Sequence, residues 1–274
     1  MYLGEKKIQE SMPLRLADTE RYQVPDGHLR LTERFFCLEG EGLLMGTPCF
    51  LIRFSGCNLR CTWCDSKHSS WHDHVFTVAS VEEVFADLVK VPGWVSYTGG
   101  EPLWRQENEL RAFARLIGLV QVMNRPQKVE TSGTVDPPDW FPSEQLFWSI
   151  APKTAGMGKG TFLDPGVLQH ILTTHTTPDR THLKFVVGAR VDQSTLEEDF
   201  EAIKQVVAAV PAIVRQKYPV VLQPEGLAGS SLEYLERARL LVEAVCRDHE
   251  LMAIPNWRVL PQWHVLLWGQ ARGR

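Results

Sequence analysis

Residues 50–66 read FLIRFSGCNLRCTWCDS, and the order of residue types in that stretch decides the architecture. Residues 50–54 are apolar and β-prone, Ser55 and Gly56 end the run, and three thiols follow within eight residues, at Cys57, Cys61 and Cys64. In parallel α/β sheets and barrels the loops that bind ligands gather at the C-terminal ends of the strands. Outward from this loop the chain alternates short β-rich runs with amphipathic helical ones, the pattern of an α/β fold with a largely parallel sheet. Strands are expected at 32–36, 48–55, 94–97, 128–131, 146–150, 182–187 and 219–222. Ser80 and Glu83 form a capping box ahead of a helix whose one face carries Val81, Val84, Phe85, Leu88 and Val89. Further helices are expected at 109–123, at 196–210 with Ser194 and Glu197 at its start, and at 232–249.

The 274 residues are 44% hydrophobic and 23% charged, which fits one globular domain and excludes disordered and fibrous classes. Twenty-nine Lys and Arg against 33 Asp and Glu give a net charge of -4, so a nucleic-acid partner would gain nothing from the overall field. No run approaches the roughly 18 apolar residues of a membrane span, and the first residues lack the apolar core of a secretory signal, so a cytoplasmic protein is expected. Residues 1–27 are polar and proline-punctuated and read as an extension outside the core, leaving 28–274 for the core domain.

Clustered cysteines in such a chain suggest metal rather than disulfides, whereas Cys37, Cys49 and Cys246, on apolar runs, are expected in the core. The spacing C-x3-C-x2-C offers three ligands from one loop. An iron–sulfur cluster normally takes four, so three leave one iron open to a small molecule, and the amino and carboxylate groups of S-adenosylmethionine can chelate such an iron. A closed Cys3His zinc site with His68 is the competing reading. Thr98–Pro102, TGGEP, follows a strand with paired glycines that let backbone approach a ligand closely; taken alone it is a strand-ending turn.

The cysteine motif and the GGEP turn together resemble the radical S-adenosylmethionine superfamily. Within it, the chain is most similar to the 7-carboxy-7-deazaguanine synthase (QueE) family. The matching pieces run in order: LEGEG at 38–42, the cysteine stretch at 50–66, YTGGEP at 97–102, VETSGT at 129–134, APK at 151–153, LKFVV at 183–187 and LPQWHVLLWGQARGR at 260–274. A glycyl-radical activase would share the cysteines but not the EGEG loop or the PQWHVLLWG ending.

The resemblance implies a partial, incomplete β/α barrel, a [4Fe-4S] cluster, S-adenosylmethionine, Mg2+ and a homodimer served by a flavodoxin-like electron donor. The implied reaction converts 6-carboxy-5,6,7,8-tetrahydropterin to 7-carboxy-7-deazaguanine with loss of ammonia, in queuosine precursor biosynthesis. By the same resemblance, Cys57, Cys61 and Cys64 bind the cluster. Trp63, Cys64, Asp65 and Gly100 line the S-adenosylmethionine, with Ala151, Pro152, Lys153, Gln223, Pro224, Glu225 and Gly226. Leu38, Glu39, Gly40, Arg53 and Thr98 contact the pterin, and Ser66 stands where the family places a threonine hydroxyl on Mg2+.

These roles are chemically sensible. A guanidinium suits a carboxylate bidentately, an acceptor-rich loop suits the 2-amino and N3–H edge of a pterin, and Mg2+ takes few protein ligands beside water and substrate oxygens. Arg53 on an apolar strand needs an anion, which a structural acid could equally supply, and a serine at position 66 could equally cap a helix or turn. Glu39 replaces the family's usual glutamine, Ala151 a serine and Ser132 a frequent asparagine. Residues 154–181 are longer than a minimal member needs, and the GKG within them reads as a flexible turn.

Overall fold

The computed structural model describes residues 23–71, 76–154, 164–188, 193–210, 217–269 and 271, with the side chains of 193–195 excepted. The GKG turn at 158–160 lies outside them, as do residues 1–22 of the N-terminal segment. Nine strands form one sheet: β1 (His28–Leu38), β2 (Pro48–Phe54), β3 (Thr77–Ser80), β4 (Trp94–Gly99), β5 (Gln127–Thr131), β6 (Leu146–Ile150), β7 (Thr181–Val187), β8 (Val220–Pro224) and β9 (Trp257–Val259). Their order is β3-β1-β2-β4-β5-β6-β7-β8-β9. β1 runs antiparallel to β2 and β3, and every other pair is parallel, so the sheet is a partial barrel of largely parallel strands.

The crossings include α1 (Lys67–Ser70), α2 (Val81–Leu88), α3 (Glu107–Val122), α4 (Pro165–His170), α5 (Gln193–Ala209), α6 (Ser231–Val245), α7 (His249–Met252) and α8 (Trp263–Trp268). Among the described residues no helix is long and apolar enough to cross a membrane. The capping box of α2 is present as expected, with Ser80 Oγ accepting from the Glu83 amide and Glu83 accepting from the Ser80 amide. α5 begins at Gln193, which puts Ser194 inside it rather than at its cap. The helix expected at 232–249 divides, because Asp248 accepts from the amides of Glu250 and Leu251 and so caps a new helix. With α6 ending at Val245 on its buried face, Cys246 falls off that face and is exposed, not in the core; Cys37 and Cys49 are buried. At the N-terminal side Val24 is buried and its carbonyl accepts from Asn108 Nδ2 at 2.7 Å.

Alternation along the strands separates two environments. One side chain in two faces the helices: Ile52 and Phe54, Val95 and Tyr97, Val129, Trp148 and Ile150, Leu183 and Phe185, which pack with Phe113, Leu116, Ile117 and Ile203 into one core. The intervening positions face a cavity of about 370 Å³: Leu51 and Arg53, Ser96 and Thr98, Glu130, Lys184 and Val186. Parallel strands usually read as continuous apolar runs because both faces are dry. Here most of the alternate positions are polar, Arg53, Ser96, Thr98, Glu130 and Lys184 among them, because one face lines a site.

Candidate active site

The cysteine loop leaves β2 at the top of this cavity. Arg105 fixes its entry: the guanidinium donates to the carbonyls of Ser55 at 2.6 Å, Gly56 at 3.3 Å and Glu101 at 3.0 Å. Burial lowers the Arg105 pKa to about 10, and Glu109, itself held by Arg30 at 2.9 Å, opposes that loss. The loop therefore starts from a buried, charge-balanced mount. Gly100 sits against it so closely that a Cβ would come within 2.1 Å of the Gly56 carbonyl oxygen, which explains why the GGEP turn needs glycine there. Glu101 of the same turn is buried and accepts from the Leu103 amide, Thr131 Oγ1, and the Ser132 amide and Oγ. It ties the turn to the end of β5, a role the sequence reading missed.

Cys57, Cys61 and Cys64 project together with Leu59 and Trp63 as a small apolar cluster, buried except for the partly exposed Trp63 and Cys64. Burial pushes each thiol's pKa up, that of Cys64 to about 11 with Asp65 adding to the effect. Thiols so placed stay protonated at neutral pH unless cationic metal compensates their charge. A tetrahedral zinc would need its sulfurs about 3.8 Å apart, given Zn–S near 2.3 Å. Among the described residues, Cys57, Cys61, Cys64 and His68 do not bring three ligand atoms within 4.8 Å of one another. His68 instead meets Glu33 at 3.2 Å. The donor set thus fits a larger, three-point inorganic centre better than a closed zinc site.

The opposite wall is charged. Lys184 on β7 pairs with both Glu41 and Glu130. Lys128 on β5 pairs with Glu39 at 2.8 Å, and Ser96 Oγ donates to the same carboxylate at 2.9 Å. Burial works against the charge on Glu130, yet Lys184 and Lys128 outweigh it and hold that carboxyl down to about 2. Glu41 likewise stays well below the usual range: burial opposes its charge, and Lys184 and His264 stabilise it. Beneath them His182 donates or accepts at Ser149 Oγ over 2.9 Å, and burial, then Lys128 and Lys184, lower its pKa to about 3, so it is neutral. Gly42 has φ +65° and lies on that ring, where a Cβ would come within 2.7 Å of Nε2; the EGEG loop must end in glycine.

The C-terminal segment closes the wall. Gln262 Nε2 donates to Glu41 at 2.7 Å and lies 3.4 Å from Asp65, while the Trp263 amide donates to the Gly40 carbonyl at 2.7 Å. The cavity collects most of the residues singled out from the sequence: Leu38, Glu39, Gly40, Arg53, Cys57, Cys61, Trp63, Cys64, Asp65, Ser66, Thr98, Gly100, Ala151, Lys153 and Gly226. Pro152, Gln223, Pro224 and Glu225 do not line it. Gln223 reaches in only through Nε2 to Glu41 at 3.1 Å, leaving its Oε1 buried without a hydrogen bond, and Glu225 turns away to Arg237.

Arg53 does have the structural acid that was its alternative, Glu33 at 2.7 Å, but its second arm donates to Ser66 Oγ at 3.0 Å on the cavity surface. Ser66 occupies the N-cap of α1 without making a cap hydrogen bond, and its hydroxyl donates to Asp65 at 3.0 Å instead. Glu41, Glu130, Lys128, Lys184, Gln262 and His264 were not singled out. The available signal was a charge inside a strand at a position facing away from the core, since Lys128 and Glu130 flank Val129 and Lys184 stands between Leu183 and Phe185.

A family model described as a 4Fe-4S single cluster domain matches residues 38–135. The chain is 31% identical over 251 residues to the 7-carboxy-7-deazaguanine synthase of Pyrobaculum aerophilum, covering 90% of this chain and 97% of that protein. It is 33% identical over 253 residues to the protein of that name from Bacillus subtilis, covering 86% and 94%, and 31% identical over 260 residues to that of Halobacterium salinarum, covering 89% and 91%. The crystal structure of QueE from Escherichia coli shares the fold, with a TM-score of 0.60 at 24% identity over 86% of this chain and 95% of that one.

Proposed function

The chain belongs to the 7-carboxy-7-deazaguanine synthase family, and from that premise we infer that its cavity carries out the ring-contracting lyase reaction on 6-carboxy-5,6,7,8-tetrahydropterin, releasing ammonia. The observation that carries this reading is the sharing of one cavity by the three thiols and the lysine–carboxylate wall. When bound, the cluster and S-adenosylmethionine supply the one-electron cleavage and hydrogen abstraction the reaction needs. Cys57, Cys61 and Cys64 hold the cluster. Trp63, Asp65, Gly100, Ala151, Lys153 and Gly226 bound the space for S-adenosylmethionine, and Gln223 acts from behind that wall by donating to Glu41.

The remaining residues bind and orient the pterin. Three carboxylates, Glu39, Glu41 and Glu130, stand against two lysines, so the wall is richer in acceptors than in charge-matched donors and suits the 2-amino and N3–H edge of the heterocycle. Glu39 spends oxygens on Lys128 and Ser96, which fixes its orientation for the contact the family makes with a glutamine. Arg53 points at Ser66 Oγ, the ligand this reading gives to Mg2+. Glu33 on Arg53 and Asp65 on Ser66 already supply two carboxylates beside that hydroxyl, and Arg53 with a dication held at Ser66 would favour the substrate carboxylate as a further anion there. Residues 28–274 act in this reading as a single core in the cytoplasm, as a homodimer, with electrons from a flavodoxin-like donor. The exposed Trp263, Leu267 and Trp268 of α8 supply apolar surface for a second copy.

Anaerobic turnover tests this. Protein reconstituted with iron and sulfide is given S-adenosylmethionine, Mg2+, reductant and the carboxytetrahydropterin, and products are read by mass spectrometry. Carboxydeazaguanine is expected. Deoxyadenosine without it would retain the radical chemistry and reject this substrate, with Glu39 the first residue to revert to glutamine.

A further inference from the structure

Outside the cavity, the segment after α4 carries side chains that the reaction above does not use. α4 ends at His170 and passes into one wide turn, Ile171–His175, bonded as a π-helix, a local geometry frequent at functional sites. It brings His170 and His175 beside Asp136 from the loop after β5, with one ligand atom of each within 4.8 Å of the other two. Asp136 approaches His170 Nδ1 with both oxygens, at 2.9 and 2.8 Å, and the two imidazoles meet edge to face with centroids 5.6 Å apart. Asp136 and His170 are open to solvent, whereas His175 is 6% exposed.

An ion pair accounts for Asp136 and His170 but not for His175. Its Nδ1 lies 2.8 Å from Ser143 Oγ, and that hydroxyl donates to the Phe141 carbonyl at 3.2 Å. A hydroxyl has one proton, and a carbonyl can only accept. Ser143 Oγ donates its one proton either to the Phe141 carbonyl, which leaves Nδ1 with the imidazole hydrogen and Nε2 with the lone pair, or to Nδ1 itself, and a metal on Nε2 selects the first arrangement. Nε2 is fully buried and makes no hydrogen bond. Burial also lowers this histidine's pKa, which keeps the ring in the neutral form that ligates metals. The other tautomer, with a proton shared toward the Pro137 backbone, requires Ser143 to abandon Phe141.

We propose that Asp136, His170 and His175 form a second metal site, taking a borderline divalent transition ion such as Zn2+ and stapling the loop after β5 to the segment 164–175. Two imidazole nitrogens and one carboxylate oxygen are the donor set of such an ion rather than of Mg2+ or Ca2+, and the fourth position is left to water. Ser143 is the outer partner that holds the His175 ring plane and accepts from Nδ1 in the metal-bound tautomer. The ion takes the place of the proton between Asp136 and His170. Two of the three ligands lie in the stretch 154–181, which is longer than a minimal family member needs, and the site gives that added length a purpose.

The test titrates cluster-loaded protein, freed of loose metal, with Zn2+ in competition with Co2+. One equivalent beyond the cluster iron is expected, with a cobalt spectrum free of thiolate charge-transfer bands and a melting temperature raised by zinc. His170→Ala, an exposed change, weakens binding by about 100-fold or more and leaves iron content unchanged; His175→Gln does the same. Absence of the extra equivalent would overturn the proposal. So would equal zinc uptake in wild type and His170→Ala, or a cobalt spectrum dominated by thiolate bands, which would put the ion on the cysteines.

Discussion

The two sides of the cavity are built by opposite means. The cysteine side comes from eight consecutive residues, is apolar, and is held by backbone carbonyls gripped from behind by Arg105. The far side is assembled from Glu39, Glu41, Lys128, Glu130, Lys184 and Gln262, whose positions span most of the chain, and is held by charge. The first needs a metal centre to become complete, since buried thiols do not ionise unaided. The second is complete in itself, because each buried lysine meets carboxylates. Local spacing suffices for a site whose ligands share a loop, whereas a charge-balanced wall exists only once the sheet has formed.

Removing a member from each side breaks this contrast most directly. Cys64→Ala is expected to lose the cluster and reduce turnover to background while the fold persists, since Cys64 is only partly buried; iron and acid-labile sulfide analysis with circular dichroism checks it. Unchanged iron content would sink the cluster assignment. On the other side, Lys184→Met leaves Glu41 and Glu130 facing each other without their shared cation, an uncompensated buried charge costing about 3–5 kcal/mol. A denaturant titration of the variant should show that loss with iron content retained. Wild-type stability would mean the wall does not depend on this pair.

The smallest effect separates the sides by pH. Glu130's folded pKa, about 2, is below the unfolded value near 4.3, so its contribution is present above pH ~4.3 and fades as pH falls toward 2. The cysteine thiols shift the other way: with folded values raised above about 8.5, the cluster-free protein keeps their contribution below that pH and loses it as pH rises, through about 11 for Cys64. Melting temperatures of the cluster-free protein should therefore fall at both extremes, and loading the cluster should remove the alkaline fall only. An alkaline fall of equal size in loaded protein would contradict the thiol account.

Much of the fold was legible in the sequence because its signals are local. Residues 146–150 form the expected strand, and the Ser80–Glu83 capping box starts α2 as read. The short strands Thr77–Ser80 and Trp257–Val259 escaped, having too few residues to show a period, and the break at Asp248 was masked by apolar residues that continue the helical spacing across it. In the site, motif residues were found and their electrostatic partners were not. Lys184 stands between Leu183 and Phe185 and Lys128 between Gln127 and Val129, and nothing in the linear chain says that Glu41 or Glu39 will arrive opposite them. Arg53 shows the reverse difficulty, since both readings of its chemistry hold at once, Glu33 on one arm and the Ser66 hydroxyl on the other.

A barrel left unclosed has two free margins, and here they are the two shortest strands, the four residues of β3 and the three of β9. β3 and β9 themselves offer a neighbouring chain only a few open amides and carbonyls, but β3 covers only His28–Leu31 of β1, so the rest of that strand, to Leu38, runs past it with β2 on one edge only.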